Sequence, residues 1–270
     1  MPDEILSVEH LTVSLHGRVI LDDVSFALRR GEFTGLIGSN GVGKTTLLRA
    51  ILGLQPYEAG TISVNGEPRR RHQAAIGYVP QKIALDSDVP LRVVDFVTLG
   101  LDAERWGLRR RSAAQRARVT DMLEAVGASH LASKRLSELS GGEQQRVFIA
   151  HALVREPHVL LLDEPLANLD PRNVQEIVAL LHRLARDHDV AILLSAHEMN
   201  ALLPVMDRVV YLTGGHCASG PTSEVVRTDV LSALYGHHVD VVQIHGRVFV
   251  IAEPNDATDD LPEHPTLTVH

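Results

Sequence analysis

The chain has 270 residues, 44% of them hydrophobic and 22% charged, with a formal net charge of −8 at pH 7. This length allows one large domain with a sizeable core, and the acidic balance disfavours a nucleic-acid partner, which needs a basic face. No apolar run approaches the roughly 18 residues of a membrane span, the opening MPDEILSVEH lacks a secretory pattern, and the lone Cys217 excludes an intrachain disulfide, so a cytosolic protein is expected.

The first forty residues read as strands: LSVEHLTVSL and RVILDDVSFAL alternate apolar and polar positions, and EFTGLIG is a mostly apolar run ending at Gly38. GSNGVGKTT follows directly, and KTTLLRAILGL then places apolar residues at helical spacing. GTISVNG and AAIGYVP read as short strands. From residue 91 to 127, VPLRVVDFVTLGL and SAAQRARVTDMLEAVGA show helical spacing. A helix through EQQRVFIAHALV, a buried strand VLLLDEP, a helix RNVQEIVALLHRLARD and a strand VAILLSAH come next. Helices alternating with all-apolar strands predict a parallel sheet covered on both faces. After Tyr211 come short strands, a helical DVLSALYG, and VDVVQIHGRVFVIA, read as a hairpin turning at His245 and Gly246. The tail EPNDATDDLPEHPTLTVH is acidic and Pro-containing, and is expected to be disordered.

Strand, Gly-rich turn, helix is the context in which G-x-x-x-x-G-K-[ST] wraps nucleotide phosphates. Gly38, Gly41 and Gly43 would let backbone N–H groups turn inward, with Ser39, Asn40 and Val42 completing the loop. The helix expected to start near Lys44 turns its positive end to the same place. Lys44 would reach the β and γ phosphates, and it is one of three lysines (with Lys82 and Lys134) in a chain that otherwise uses arginine. Thr45 would bind Mg²⁺, and Thr46 would donate toward the α-phosphate. Asp163, where an apolar strand ends, is placed to hold Mg²⁺. Glu164 would orient or deprotonate the attacking water.

LSGGEQQR, residues 139–146, resembles the signature of the ABC-transporter ATPases. The other stretches of that family follow in family order: GSNGVGKTT, GYVPQ with Gln81, VLLLDEP, LANLD ending at Asp170, and LLSAHE with His197. The resemblance covers about residues 5 to 235. It implies an α/β fold of P-loop NTPase type: a mainly parallel core sheet, an N-terminal antiparallel β subdomain and a helical subdomain at about residues 82–150. Residues 1–235 would form the ATPase domain and 236–270 a hairpin-like extension with its tail.

The resemblance also implies an ATP site shared between two copies of the chain. Ser140, Gly141 and Gly142 of one copy would contact the γ-phosphate held by the other, where a helix dipole favours the anion. Glu143 and Asp170 count among the nucleotide-contacting residues. Gln81 would contact Mg²⁺ or the attacking water, and His197 would bind the γ-phosphate and hold Glu164 in line. In place of the family's adenine-stacking aromatic stand Leu15 and His16. Either His16 stacks instead, or weaker apolar contact holds the base. Losing a base–aromatic stack costs about 1–3 kcal/mol.

One phosphate loop, no sustained heptads and no fused membrane helices imply the separate ATPase subunit of a membrane importer rather than a soluble or exporter-type member. Permease subunits would dock near residues 82–110, where Val89, Leu91, Val94 and Phe96 serve core or docking, core being the better fit. The chain would sit on the cytoplasmic face of the inner membrane through that permease. The whole-chain resemblance favours zinc or manganese importers, with a metal-binding receptor as an indirect partner; ferric-siderophore, haem or cobalamin importers are the alternative. His237, His238 and His264 lack the spacing of a ligand set. The basic runs at 69–71 and 109–111 read as solvated.

Overall fold

The computed structural model describes residues 4–69, 75–81, 90–102, 112–236, 238–244 and 247–252. Strands β1 (Glu4–Leu15) and β2 (Arg18–Arg29) form a hairpin closed by His16 and Gly17. Both turn residues have positive φ, 51° and 78°, as a two-residue turn between right-twisted strands demands. Strand β3 (Phe33–Ile37) leads into helix α1 (Lys44–Leu52), followed by β4 (Ala59–Val64), β5 (Glu67–Pro68) and β6 (Ile76–Val79). Helices α2 (Val93–Leu99), α3 (Ala113–Ala125) and α4 (Gly141–Leu153) come next. The order β7 (Val159–Leu162), α5 (Pro171–Asp187), β8 (Ala191–Ala196), β9 (Arg208–Thr213) and β10 (His216–Pro221) completes the central unit. Helices α6 (Thr222–Val225) and α7 (Thr228–Tyr235) precede the hairpin β11 (Val239–Ile244) and β12 (Arg247–Ala252).

Among the described residues these strands make a central sheet of order β10-β9-β3-β8-β7-β6 and an antiparallel sheet of order β2-β1-β4-β5. Strands β9, β3, β8, β7 and β6 run parallel. The α/β fold read from the sequence is the fold observed. The all-apolar strands have a direct cause. Leu160, Leu162, Ile192 and Leu194 face one core with α4 and α5, while Val159, Leu161, Ala191 and Leu193 face another with α1 and the antiparallel sheet. A strand covered on both faces needs apolar residues at every position.

Helix α5 shows the same logic at 3.6-residue spacing. Ile177, Val178, Leu180, Leu181 and Leu184 are buried on one face, Asp170 caps the start and Pro171 fits the first turn. Each fully buried Leu or Ile contributes roughly 1.5–3 kcal/mol. Phe96 is buried in α2, and Leu91 and Val94 pack partly against the same core. Val89, His237, His264, the hairpin turn at 245–246, the tail from 253, and the basic residues 70–71 and 109–111 lie outside the described residues.

The C-terminal hairpin packs onto the body: Val239 is buried in the main core, and Val241, Val248 and Val250 lie against it.

Candidate active site

Parallel register decides where chemistry can gather. Ile37 pairs with Ala196, Leu162 with Leu194, and Val79 with Leu162, so β3, β6, β7 and β8 end side by side. The loops leaving these ends carry residues 38–43, Gln81, Asp163 with Glu164, and His197. Ligands of open α/β sheets bind outside such carboxyl ends.

The loop after β3 is held by its own lysine. Lys44 is buried, and its Nζ donates to the carbonyls of Gly38 at 2.7 Å and Ser39 at 3.0 Å. Burial pushes its ammonium below the ordinary lysine range, and the charges of Glu164 and then Asp163 oppose that shift. Gly43 precedes α1 at φ 116°, and a Cβ there would lie 2.9 Å from Leu21 and 3.1 Å from Ile20. Only glycine fits. Ser39, Asn40 and Gly41 form the exposed tip, with Val42, Thr45 and Thr46 partly buried behind them. The first N–H groups of α1 have no intrahelical acceptor, which suits a phosphate.

Across from the loop, Asp163 is buried and its Oδ1 accepts from the hydroxyls of Thr45 at 3.1 Å and Ser195 at 3.0 Å. Ser195 also accepts from the Glu164 N–H at 2.8 Å. That bond holds Glu164 in the left-handed region, φ 47°, which turns its carboxylate back over the site. Gln81 donates to Glu164 Oε2 at 2.7 Å, and Lys44 lies 3.7 Å from Oε1. Gln81, Glu164, Lys44, Thr45 and Asp163 are thus gathered as expected. Thr45 and Asp163 converge two hard oxygen donors, the set Mg²⁺ prefers.

His197 shares a cleft of about 140 Å³ with Glu164, Ser195 and Glu198. Its nearest carboxylate is Glu198, at 4.0 Å, and among the described residues no hydrogen bond joins it to Glu164. The expected alignment of Glu164 by His197 is therefore one of shared space, while Ser195 and Gln81 supply the hydrogen bonds.

The LSGGEQQR segment makes a helix start. Ser140 caps α4, with its N–H and hydroxyl both donating to Glu143 Oε2 at 2.8 Å, and its Oγ accepting from Glu143 N–H at 3.4 Å. The Ser140 backbone bond, then its hydroxyl, holds the Glu143 carboxyl below the usual carboxylate range. Gly141 lies against Leu169, and a Cβ on Gly142 would come within 2.5 Å of Asn173 Oδ1. Asp170 in turn accepts from the N–H groups of Arg172 and Asn173, both at 3.0 Å, and from the Asn173 carboxamide. These bonds, Asn173 first, hold its pKa down. Asp170, expected among the nucleotide contacts, caps α5 of its own chain with both oxygens engaged. Among the described residues, none of the hydrogen bonds of Ser140 or Glu143 reaches the phosphate loop of the same chain.

His16 stands at the exposed tip of the first hairpin, whereas Ile20 and Leu21 touch Gly43 and Val19 is exposed beside them. Ile20, on that apolar flank, lies four residues along the chain from His16. Sequence reasoning missed Ser195, Asn173 and this Ile20 flank. One signal was present for Ser195: it is the sole polar residue in the run AILLSA.

The family model of the ABC transporter matches residues 21–167. The chain belongs to the ABC transporter family. Within it, the chain is 34% identical over 267 residues to the zinc import ATP-binding protein ZnuC of Pseudomonas syringae pv. syringae, covering 94% of this chain and 95% of that protein. It is 39% identical over 247 residues to the sulfate/thiosulfate import ATP-binding protein CysA of Ralstonia nicotianae, covering 90% of this chain and 66% of that one. A solved structure described as a metal-chelate type ABC transporter in an inward-facing conformation superposes with TM-score 0.80 at 26% identity, covering 92% of this chain and 96% of that. The structure of cbiO1 from Clostridium perfringens, part of the ABC transporter complex cbiONQ, gives TM-score 0.74 at 31% identity, covering 86% and 94%. The fold described above agrees with this membership. Among the described residues no helix is long and apolar enough to cross a membrane.

Proposed function

We propose that this ABC ATPase powers a membrane importer of a divalent metal ion, zinc or manganese. The observation that carries the cargo is the 34% identity to a zinc import protein along 94% of the chain and 95% of the relative, well beyond the 21–167 segment common to the family. The sulfate-import relative is more identical, but this chain spans only 66% of it. A metal-chelate cargo is the second reading, supported by the 0.80 superposition.

In the chemistry proposed, Lys44 and the N–H groups of residues 40–45 bind the ATP phosphates. Thr45, Asp163 and Gln81 would hold Mg²⁺, which supplies charge neutralisation at the phosphate oxygens. Glu164 takes a proton from water as the water oxygen bonds to the γ-phosphorus and the bond to ADP breaks. His197, across the same cleft, donates to the γ-phosphate. Ser140, Gly141 and Gly142 of a second copy close the site, since within one chain the Ser140 side chain is bonded to Glu143 of its own helix. The permease would meet the region about residues 82–110 and hold the chain at the cytoplasmic face of the inner membrane, with a metal-binding receptor outside.

Deleting the gene and growing cells in a zinc chelator tests the cargo. Growth should fail and be restored by zinc or manganese alone. Rescue only by an iron chelate, or loss of growth only on sulfate as sulfur source, would replace the metal-ion reading.

A further inference from the structure

The cleft beside Glu164 and His197 continues into a wider groove of about 710 Å³, and Val174 and Ala201 line both. The far wall of the wider groove is the C-terminal hairpin, through Val248 and Phe249. Between hairpin and sheet lies the turn that directly follows His197. Its Met199 is buried, the Met199 carbonyl accepts from Leu202 and Leu203 at 2.8 and 3.0 Å, and Leu203 packs with Val248 and Val250 around one core.

One polar side chain joins the two parts. Asn200, three residues beyond His197, accepts at Oδ1 from the Val250 N–H at 2.9 Å and donates from Nδ2 to the Val250 carbonyl at 3.4 Å. A carboxamide is the side chain that serves a backbone donor and acceptor together. Asn200 thus takes the place of a neighbouring strand along β12, whose other partner is β11, with Val250 opposite Val241.

We infer that Asn200 is a positioning residue that ties the turn carrying His197 to β12, so that the C-terminal hairpin sets the rate of ATP hydrolysis. The inference rests on the ATPase reading of the site. It separates rate from binding, because His197 adds one contact at the γ-phosphate while residues 38–46, on a different loop, hold the phosphate chain. A catalytic group displaced by a loosened turn lowers turnover while leaving the phosphate cradle intact.

Asn200→Ala removes both bonds, Asn200→Asp keeps the acceptor of the shorter one, and Val250→Pro removes the N–H from the other side. For Asn200→Ala the expected kcat for ATP is lower by about threefold to tenfold with KM unchanged. Asn200→Asp should recover at least half of that loss, and Val250→Pro should match Asn200→Ala. Hydrogen exchange should quicken in residues 197–206 and stay unchanged in 38–46. Wild-type kcat in Asn200→Ala overturns the inference, as does faster exchange spread equally over 38–46. Should Val250→Pro not fold, the two Asn200 variants decide. Absence of ATP hydrolysis by the wild-type chain would sink the ATPase reading instead, while the exchange comparison still tests the tie.

Discussion

Lys44 and Glu164 face each other at 3.7 Å, one from the start of α1 and one from the end of β7, with Gln81 bonded to the same carboxylate. The pair sets a buried cation beside the group proposed to accept a proton. Replacing Glu164 with Gln keeps the shape and removes the base. Hydrolysis should fall by about 10²–10⁴-fold with ATP binding retained. Turnover and nucleotide titration on one preparation check both halves.

Ser195 bridges Asp163 and the Glu164 N–H. Ser195→Ala leaves the buried Asp163 oxygen with one hydroxyl donor fewer and the Glu164 N–H without its acceptor. Loss of such a bond costs about 1–3 kcal/mol. Denaturant unfolding should show that loss, and kcat should drop because Glu164 no longer holds its left-handed conformation.

Gly142 meets Asn173 where α4 starts on α5. Gly142→Ala would place a methyl 2.5 Å from Asn173 Oδ1, and Asn173 is anchored to Asp170. Destabilisation of about 1–3 kcal/mol is expected. Adding Asn173→Ala should return part of it, which a comparison of melting temperatures would reveal.

Much of this site was legible because its residues are contiguous in sequence. The loop GSNGVGKTT and the end of VLLLDEP carry local physical reasons for their spacing, whereas Ser140 and Glu143 were named through the family resemblance and their mutual cap shows only in the structure. What stayed hidden depends on contacts between distant segments. Ser195 acts on Asp163 and Glu164 only because β7 and β8 pair with Leu162 beside Leu194. Asp170 also caps α5 just before Pro171, a local role that the sequence reading did not name. The register of the first hairpin, Leu15 opposite Arg18, puts Ile20 and not His16 at Gly43. No local pattern reports that register.

The caps predict an acid limit. The carboxylates of Asp170, Glu143 and Glu176 all have folded pKa values below their ordinary ones, Glu176 through its bonds to Arg172 and then Arg146. Their unfolded values lie near 4. Groups with depressed folded values contribute stability above the unfolded pKa and lose it as pH falls through the folded one. The contribution of these three groups should therefore be flat through neutral pH and decline below about pH 4. In Asp170→Asn that decline should be shallower, as a melting series against pH would show.

If two copies share each site, variant pairs distinguish the arrangement. A dimer of one Lys44→Ala chain and one Ser140→Arg chain keeps one site free of both changes. A dimer carrying both changes on one chain damages each site once. The first should hydrolyse ATP faster, and equal rates would argue against sharing.

Uptake of radioactive zinc reports whether ATP hydrolysis by this chain drives metal import. Cells whose only copy is the Glu164→Gln variant are compared with cells carrying the wild-type chain. Zinc uptake should run at its full rate in the second and at the level of a gene deletion in the first. Equal uptake in wild-type, variant and deletion cells would contradict it.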